Sequence, residues 1–180
     1  MTDQERIDAA LELASRKHAG QTRIGGAPYI THPIAVSEIV RSWGCGIDYQ
    51  IAALFHDLLE DTDASEAEIE AIGGREVLTA VRLLTKQPGY VMAEYVAAIR
   101  KNPMARAVKA ADRLHNLRCA AVAPTGFKRR YILETAEWYT DLCPEIPEAV
   151  RALAESINPP TDEFAFLNEP AESWRKGLTK

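Results

Sequence analysis

Residues 51–62, IAALFHDLLEDT, constrain this chain more than any other stretch. Read as a helix at about 100° per residue, His56, Asp57, Glu60 and Asp61 fall within an arc of roughly 140°. Ile51, Ala52, Leu54, Phe55, Leu58 and Leu59 cover most of the remaining surface. A helix apolar on most sides belongs in a core. A buried, unpaired carboxylate costs several kcal/mol, so three on one stripe call for a cation or a hydrogen-bonded network. A solvated face near a helix end accounts for Glu60 and Asp61, which border a turn. It accounts less well for His56 and Asp57, which lie inside the apolar run. Adjacent His and Asp can offer one nitrogen and one oxygen to a single metal ion.

The rest of the chain is also patterned for helices. Apolar positions recur at helical spacing over 3–19, with Thr2 and Glu5 fitting a capping box. Gly20, Gly25, Gly26 and Pro28 mark a loop over 20–31, and Pro33 suits the first position of a helix running to about Trp43. Helices are predicted over 48–61, from Ser65 to the Gly73-Gly74 pair, and over 75–86, 90–101, 103–121, 127–142 and 148–157. No segment alternates with period two for more than a few residues. The pattern predicts an all-α fold, with one domain over 1–157 and a C-terminal extension over 158–180 that carries Pro159, Pro160 and scattered aromatics.

Two further stretches resemble the first in kind. In ARAVKAADRLHNLRCA (105–120), Asp112 lies among Val108, Ala110, Ala111 and Leu114, with Lys109, His115 and Asn116 three or four residues away. An intrahelical Lys109–Asp112 ion pair with a surface His and Asn would explain that stretch without any site. In PYITHP (28–33), His32 precedes a proline, which disfavours helical geometry and would let the ring point off a helix end. Taken together, His32, His56, Asp57 and Asp112 supply two nitrogens and two oxygens. That set suits a divalent ion such as Mn²⁺, Fe²⁺ or Zn²⁺ and leaves coordination positions for water and a phosphate.

Net charge narrows the partners. At −5, the chain would repel a polynucleotide, whereas a local basic cluster could still hold a small anion. The three cysteines form no C-x-x-C pair. The N-terminus is charged from the start, and no apolar run approaches a membrane span. These features predict a cytoplasmic protein with reduced thiols and no membrane partner; self-association is compatible with them.

The order H…HD…D resembles that of the HD phosphohydrolase superfamily. AGQTRIGGAPYITHP, AALFHDLLEDT, GREV with LLTK, and VKAADRLHNLR follow in sequence as in the hydrolase domain of RelA/SpoT proteins. Over about residues 5–140 the chain is similar to small, stand-alone alarmone hydrolases, short metazoan SpoT homologues among them. The resemblance implies an HD-domain helical bundle that removes the 3′-pyrophosphate of (p)ppGpp, the alarmone of the stringent response. It implies Mn²⁺, or another divalent metal, on His32, His56, Asp57 and Asp112, with Glu60 and Asp61 positioning or activating the attacking water. Arg23 would line the nucleotide pocket and Asn116 would lie near the sugar and base. Lys17, Lys86, Lys109 and Arg113 are further candidates to hold phosphates. Two positions depart from the family pattern: Ile24 follows Arg23 where Lys is common, and Cys119 stands where Thr is common. Those departures keep open a deoxynucleoside 5′-monophosphatase or an NADPH phosphatase with the same metal. A non-catalytic nucleotide-binding module is a third reading, against which all four ligands and both acids are present.

Overall fold

Ten α-helices and three short 3₁₀ segments make up the computed structural model, which describes residues 1–157 and 161–178. No strand forms among the described residues; an isolated antiparallel bridge joins Thr22 and Pro28. By internal contacts the chain divides into two compact units, Met1–Asp112 and Arg113–Lys180. The junction expected between residues 157 and 158 borders residues 158–160, and Pro159 and Pro160 lie outside the described residues.

In the first unit, α1 (Asp3–Lys17) opens with the expected capping box: Thr2 Oγ1 accepts the Glu5 N–H at 3.2 Å, and Glu5 Oε2 accepts the Thr2 N–H at 2.7 Å. α2 (Thr31–Ser42) begins two residues earlier than its proline suggested. Pro33 is its third residue, still within the first turn, where a missing N–H leaves no intrahelical bond unmade. α3 (Ile47–Phe55) packs against α1, α2 and α5 (Glu66–Leu84). That three-sided contact explains its apolar sequence: Ile51, Ala52, Ala53, Leu54 and Phe55 are all buried. Each large apolar side chain buried there contributes roughly 1.5–3 kcal/mol.

α3 does not continue to residue 61 as its periodicity predicts. It stops at Phe55, and the short α4 (Leu58–Asp61) follows after His56 and Asp57. The predicted break at Gly73-Gly74 is present within α5, and the two glycines serve different needs. Gly74 has φ +81°, open to glycine at little cost, while a Cβ on Gly73 would lie 2.6 Å from Val77 Cγ1. α6 (Met92–Lys101) packs on α5, and the Tyr95 hydroxyl donates to the Leu84 carbonyl at 2.8 Å.

α7 (Pro103–Cys119) runs across the boundary between the units. In the second unit, α8 (Thr125–Trp138) packs on α9 (Glu145–Glu155), which buries Ile146, Val150 and Leu153 on one face. Residues 162–168 and 171–173 form 3₁₀ turns leading to α10 (Trp174–Gly177), which contacts α8. Phe164, Leu167 and Trp174 are buried, and the Trp174 indole N–H donates to the Glu169 carbonyl at 2.9 Å. No helix among the described residues is long and apolar enough to cross a membrane.

Candidate metal centre

The interruption after α3 creates the central feature of the first unit. Neighbouring residues on a regular helix do not face each other. Here Asp57 turns to φ −102°, ψ −3° at the start of α4, and His56 Nε2 comes within 3.0 Å of Asp57 Oδ2. The Asp57 carbonyl accepts the N–H groups of Glu60 at 3.2 Å and Asp61 at 2.9 Å, so the dyad and the acidic pair share one tight turn.

His32, in the first turn of α2, is buried and faces the same point. Donor atoms of His32, His56 and Asp57 all lie within 4.8 Å of one another. Asp112 Oδ1 lies 3.1 Å from His32 Nε2 and 3.8 Å from His56 Nε2, and His32 Nε2 is 3.9 Å from Asp57 Oδ2. The structure thus brings together the four residues taken from three separate stretches of sequence.

Two carboxylates meet two imidazoles in a buried setting, and their proton affinities follow. Burial pushes His32 below the ordinary imidazole range, more than Asp112 pulls it up. Burial also opposes charge on His56, but Asp57, Asp112 and the Ala53 carbonyl together outweigh it and raise the ring to about 9. Asp57 is lowered against its burial, chiefly by His56; Asp112 is lowered against its burial, chiefly by Lys109. His56 Nδ1–H donates to the Ala53 carbonyl at 2.7 Å, which fixes the ring. Its buried Nε2 approaches both carboxylates without the alignment of a hydrogen bond.

The expected intrahelical ion pair also exists: Lys109 Nζ donates to Asp112 Oδ2 at 2.9 Å. Asp112 therefore offers one oxygen to Lys109 and the other to the cluster. Lys86 Nζ stands 5.7 Å and Lys109 Nζ 6.0 Å from the Tyr95 ring centroid, so both cations share that aromatic. Glu60 Oε2 accepts the Lys86 N–H at 2.8 Å. The Asp61 carboxyl is pushed up, by burial first and then by the charges of Asp57 and Glu60.

Four other sequence candidates lie on α1, on α7 and in the loop before α2. Lys17 pairs with Asp63 and Glu68, each at 3.1 Å, and is not a ready phosphate ligand. Arg113 belongs to the second unit and is 3% exposed rather than solvated. It pairs with Glu134 at 2.8 Å and lies 4.2 Å from the ring centroids of both Tyr131 and Tyr139. Asn116, half-buried, is also in the second unit. Arg23 occupies a tight turn in which its N–H donates to the Ala27 carbonyl at 2.8 Å and its carbonyl accepts the Gly26 N–H at 2.9 Å.

Residue-level reasoning missed Tyr29. Its hydroxyl donates to Asp57 Oδ2 at 2.5 Å, and burial, then Asp57, raise its pKa, so it stays a donor at neutral pH. Its place three residues before His32 was the one available signal.

The HD domain family matches residues 10–144. The chain is 35% identical over 140 residues to a probable GTP pyrophosphokinase of Mycobacterium leprae, covering 73% of this chain and 18% of that protein. It is 34% identical over 149 residues to the bifunctional (p)ppGpp synthase/hydrolase SpoT of Escherichia coli, covering 77% and 21%. The chain thus spans about a fifth of the length of these relatives. A solved structure, described as a metazoan ortholog of SpoT that hydrolyzes ppGpp and plays a role in starvation responses, has a similar fold. Its TM-score is 0.60 at 24% identity, over 96% of this chain and 93% of that one.

Proposed function

Because the chain belongs to the HD domain family, we propose that it is a metal-dependent phosphohydrolase that removes the 3′-pyrophosphate of (p)ppGpp in the cytoplasm. Its products would be GDP or GTP, each with a free 3′-hydroxyl, and pyrophosphate. One observation carries the reading: donor atoms of His32, His56 and Asp57 lie within 4.8 Å of one another, and Asp112 Oδ1 lies 3.1 Å from His32 Nε2.

An HD domain implies a divalent metal, and this donor set fits one. Bonds of about 2.0–2.2 Å put neighbouring ligand atoms roughly 3–3.5 Å apart. The N···O separations of 3.0, 3.1, 3.8 and 3.9 Å bracket that range. Mixed nitrogen and oxygen ligands suit Mn²⁺, Fe²⁺ or Zn²⁺, and the resemblance to the alarmone hydrolases selects Mn²⁺ among them. Held by His32, His56, Asp57 and Asp112, a divalent ion would lower the pKa of water and offset negative charge on the phosphate.

The remaining roles fall to side chains. Of the acidic pair we assign proton acceptance to Asp61, whose carboxyl is pushed up by burial and by the charges of Asp57 and Glu60, and the orientation of water to Glu60. Arg23 and Lys109 would hold phosphate oxygens, Lys109 also neutralising Asp112. The substrate assignment is supported by the names of the relatives and by the order of the shared motifs.

Ile24 favours a second reading. It is 56% exposed and apolar beside Arg23, which suits a less highly charged substrate such as NADPH or a deoxynucleoside monophosphate at the same metal centre. Incubation with Mn²⁺ and ppGpp, with products resolved by anion exchange and Asp57→Ala as control, tests the first reading. Release of GDP and pyrophosphate by the wild type alone supports it. Turnover of NADPH or deoxynucleotides instead of ppGpp transfers the site to the second.

A further inference from the structure

Outside the metal ligands, Gln21 stands where four structural ties meet. Its main-chain N–H donates to the His18 carbonyl at 3.1 Å, and its main-chain carbonyl accepts the Tyr29 N–H at 2.9 Å. Its side-chain Nε2–H donates to the Asp61 carbonyl at 2.8 Å, and its Oε1 meets His18 Nδ1 at 2.7 Å. One residue thus links the end of α1, the Arg23 turn, the tyrosine on Asp57 and the acidic pair.

The hydrogens along this chain are fixed by elimination. The Asp61 carbonyl can only accept, so the Gln21 amide must face it with Nε2. Oε1 then faces His18, whose Nδ1 must carry the hydrogen. His18 is 2% exposed, and its ring lies 4.7 Å from that of Tyr29. Its Nε2 is buried and makes no hydrogen bond among the described residues. A buried imidazole held through one nitrogen is explained if its task is to hold the glutamine in one orientation.

We propose that Gln21, locked by His18, is a positioning residue that fixes the Asp61 main chain and couples the Arg23 turn to the acidic pair. The catalytic part of this proposal rests on the hydrolase reading; the coupling itself does not. Misplacing a reacting group by about 1 Å can lower a rate on the order of 100-fold.

The test uses Gln21→Ala, Gln21→Glu, His18→Asn and His18→Gln in the full chain. Glutamate is isosteric but lacks the N–H, so it reads the same bond should the alanine variant fail to fold. Asparagine replaces the His18 Nδ1 donor; glutamine places its amide nearer the Nε2 position. Amide exchange over residues 57–62 should quicken in both Gln21 variants and in His18→Gln. In those variants kcat should fall about 10- to 100-fold, with Mn²⁺ affinity by calorimetry changed less than about threefold. His18→Asn should restore most of both properties. Unchanged exchange over 57–62 in the Gln21 variants would overturn the proposal, as would equal impairment by His18→Asn and His18→Gln. If the wild type turns over no phosphoester, the hydrolase reading falls, and exchange alone still decides the coupling.

Discussion

Asp112 and Arg113 are adjacent in sequence and both buried, yet their charges are handled in opposite ways. Arg113 is balanced by its own unit: Glu134 supplies the counter-charge, Thr135 accepts a hydrogen bond at 3.4 Å, and two tyrosine rings flank the guanidinium. Asp112 shares its surroundings with Asp57, Lys109 and two imidazoles. With both rings neutral, two carboxylates face one ammonium. A proton on His56 or a metal cation corrects that imbalance, and the raised proton affinity of His56 registers it. A balanced buried charge is part of the scaffold. An unbalanced one, lined by imidazole nitrogens and carboxylate oxygens, is where a ligand belongs.

The contrast breaks most easily at its unbalanced end. Asp57→Asn removes one charge and should lower both Mn²⁺ affinity and metal-dependent hydrolysis by more than about 100-fold. Mn²⁺ should raise the melting temperature of the wild type and leave that of the variant unchanged. Urea unfolding of the metal-free variant should show a cost of only about 1–2 kcal/mol, because losing the His56 contact is partly offset by relief of the repulsion from Asp112. A metal-free loss of several kcal/mol would make Asp57 a structural residue and remove the contrast.

At the balanced end the expected signs reverse. Arg113→Met deletes the ion pair and both ring contacts and should cost about 2–3 kcal/mol of stability, less than a fully buried pair because Glu134 reaches solvent. Urea unfolding reads this directly. An Arg113→Met protein as stable as the wild type would show that the guanidinium is not a scaffold element, and would return it to the candidates for phosphate binding.

The two ends were not equally legible in the sequence. His56 and Asp57 announced themselves because ionisable residues interrupt an apolar run, and His32 and Asp112 could be added because their stretches show the same conflict. The capping boxes of Thr2 with Glu5 and of Ser65 with Glu68, and the Gly73-Gly74 break, were readable, since each depends on residues within four positions. The interruption after Phe55 was not: it contains no glycine or proline, and His56 and Asp57 keep dihedrals near the helical region. The fate of Arg113 depends on aromatic partners well beyond any local pattern, Tyr131 on α8 and Tyr139 just past its end. Tyr29 and Gln21 act on groups 28 and 40 positions distant, beyond any local pattern.

Tyr29 sharpens the comparison, because it belongs to the unbalanced cluster without bearing charge. Its hydroxyl orients Asp57 Oδ2, and outer groups of this kind typically alter metal affinity 10- to 100-fold. Tyr29→Phe should weaken Mn²⁺ binding by about 10-fold, close to 1.4 kcal/mol, in a calorimetric titration. Unaltered affinity would mean that Asp57 is held in place by the turn at α4 alone.

The smallest effect concerns the crowding of negative charge around Asp61. Its carboxyl is raised by burial and by the neighbouring charges of Asp57 and Glu60. To accept a proton it must be ionised, so kcat/KM should fall as pH drops through this raised value, above the ordinary aspartate range. Glu60→Gln removes one of the charges that favour protonation. The acid limb should therefore move to lower pH, whatever happens to the height of the profile, because its position reports the proton affinity of Asp61 and its height the orientation of water. A pH–rate profile of the variant over the acid range separates the two. A limb that stays in place would assign the titration to another group and remove Asp61 as the proton acceptor, while a limb that moves toward neutral pH would contradict the sign of the Glu60 charge.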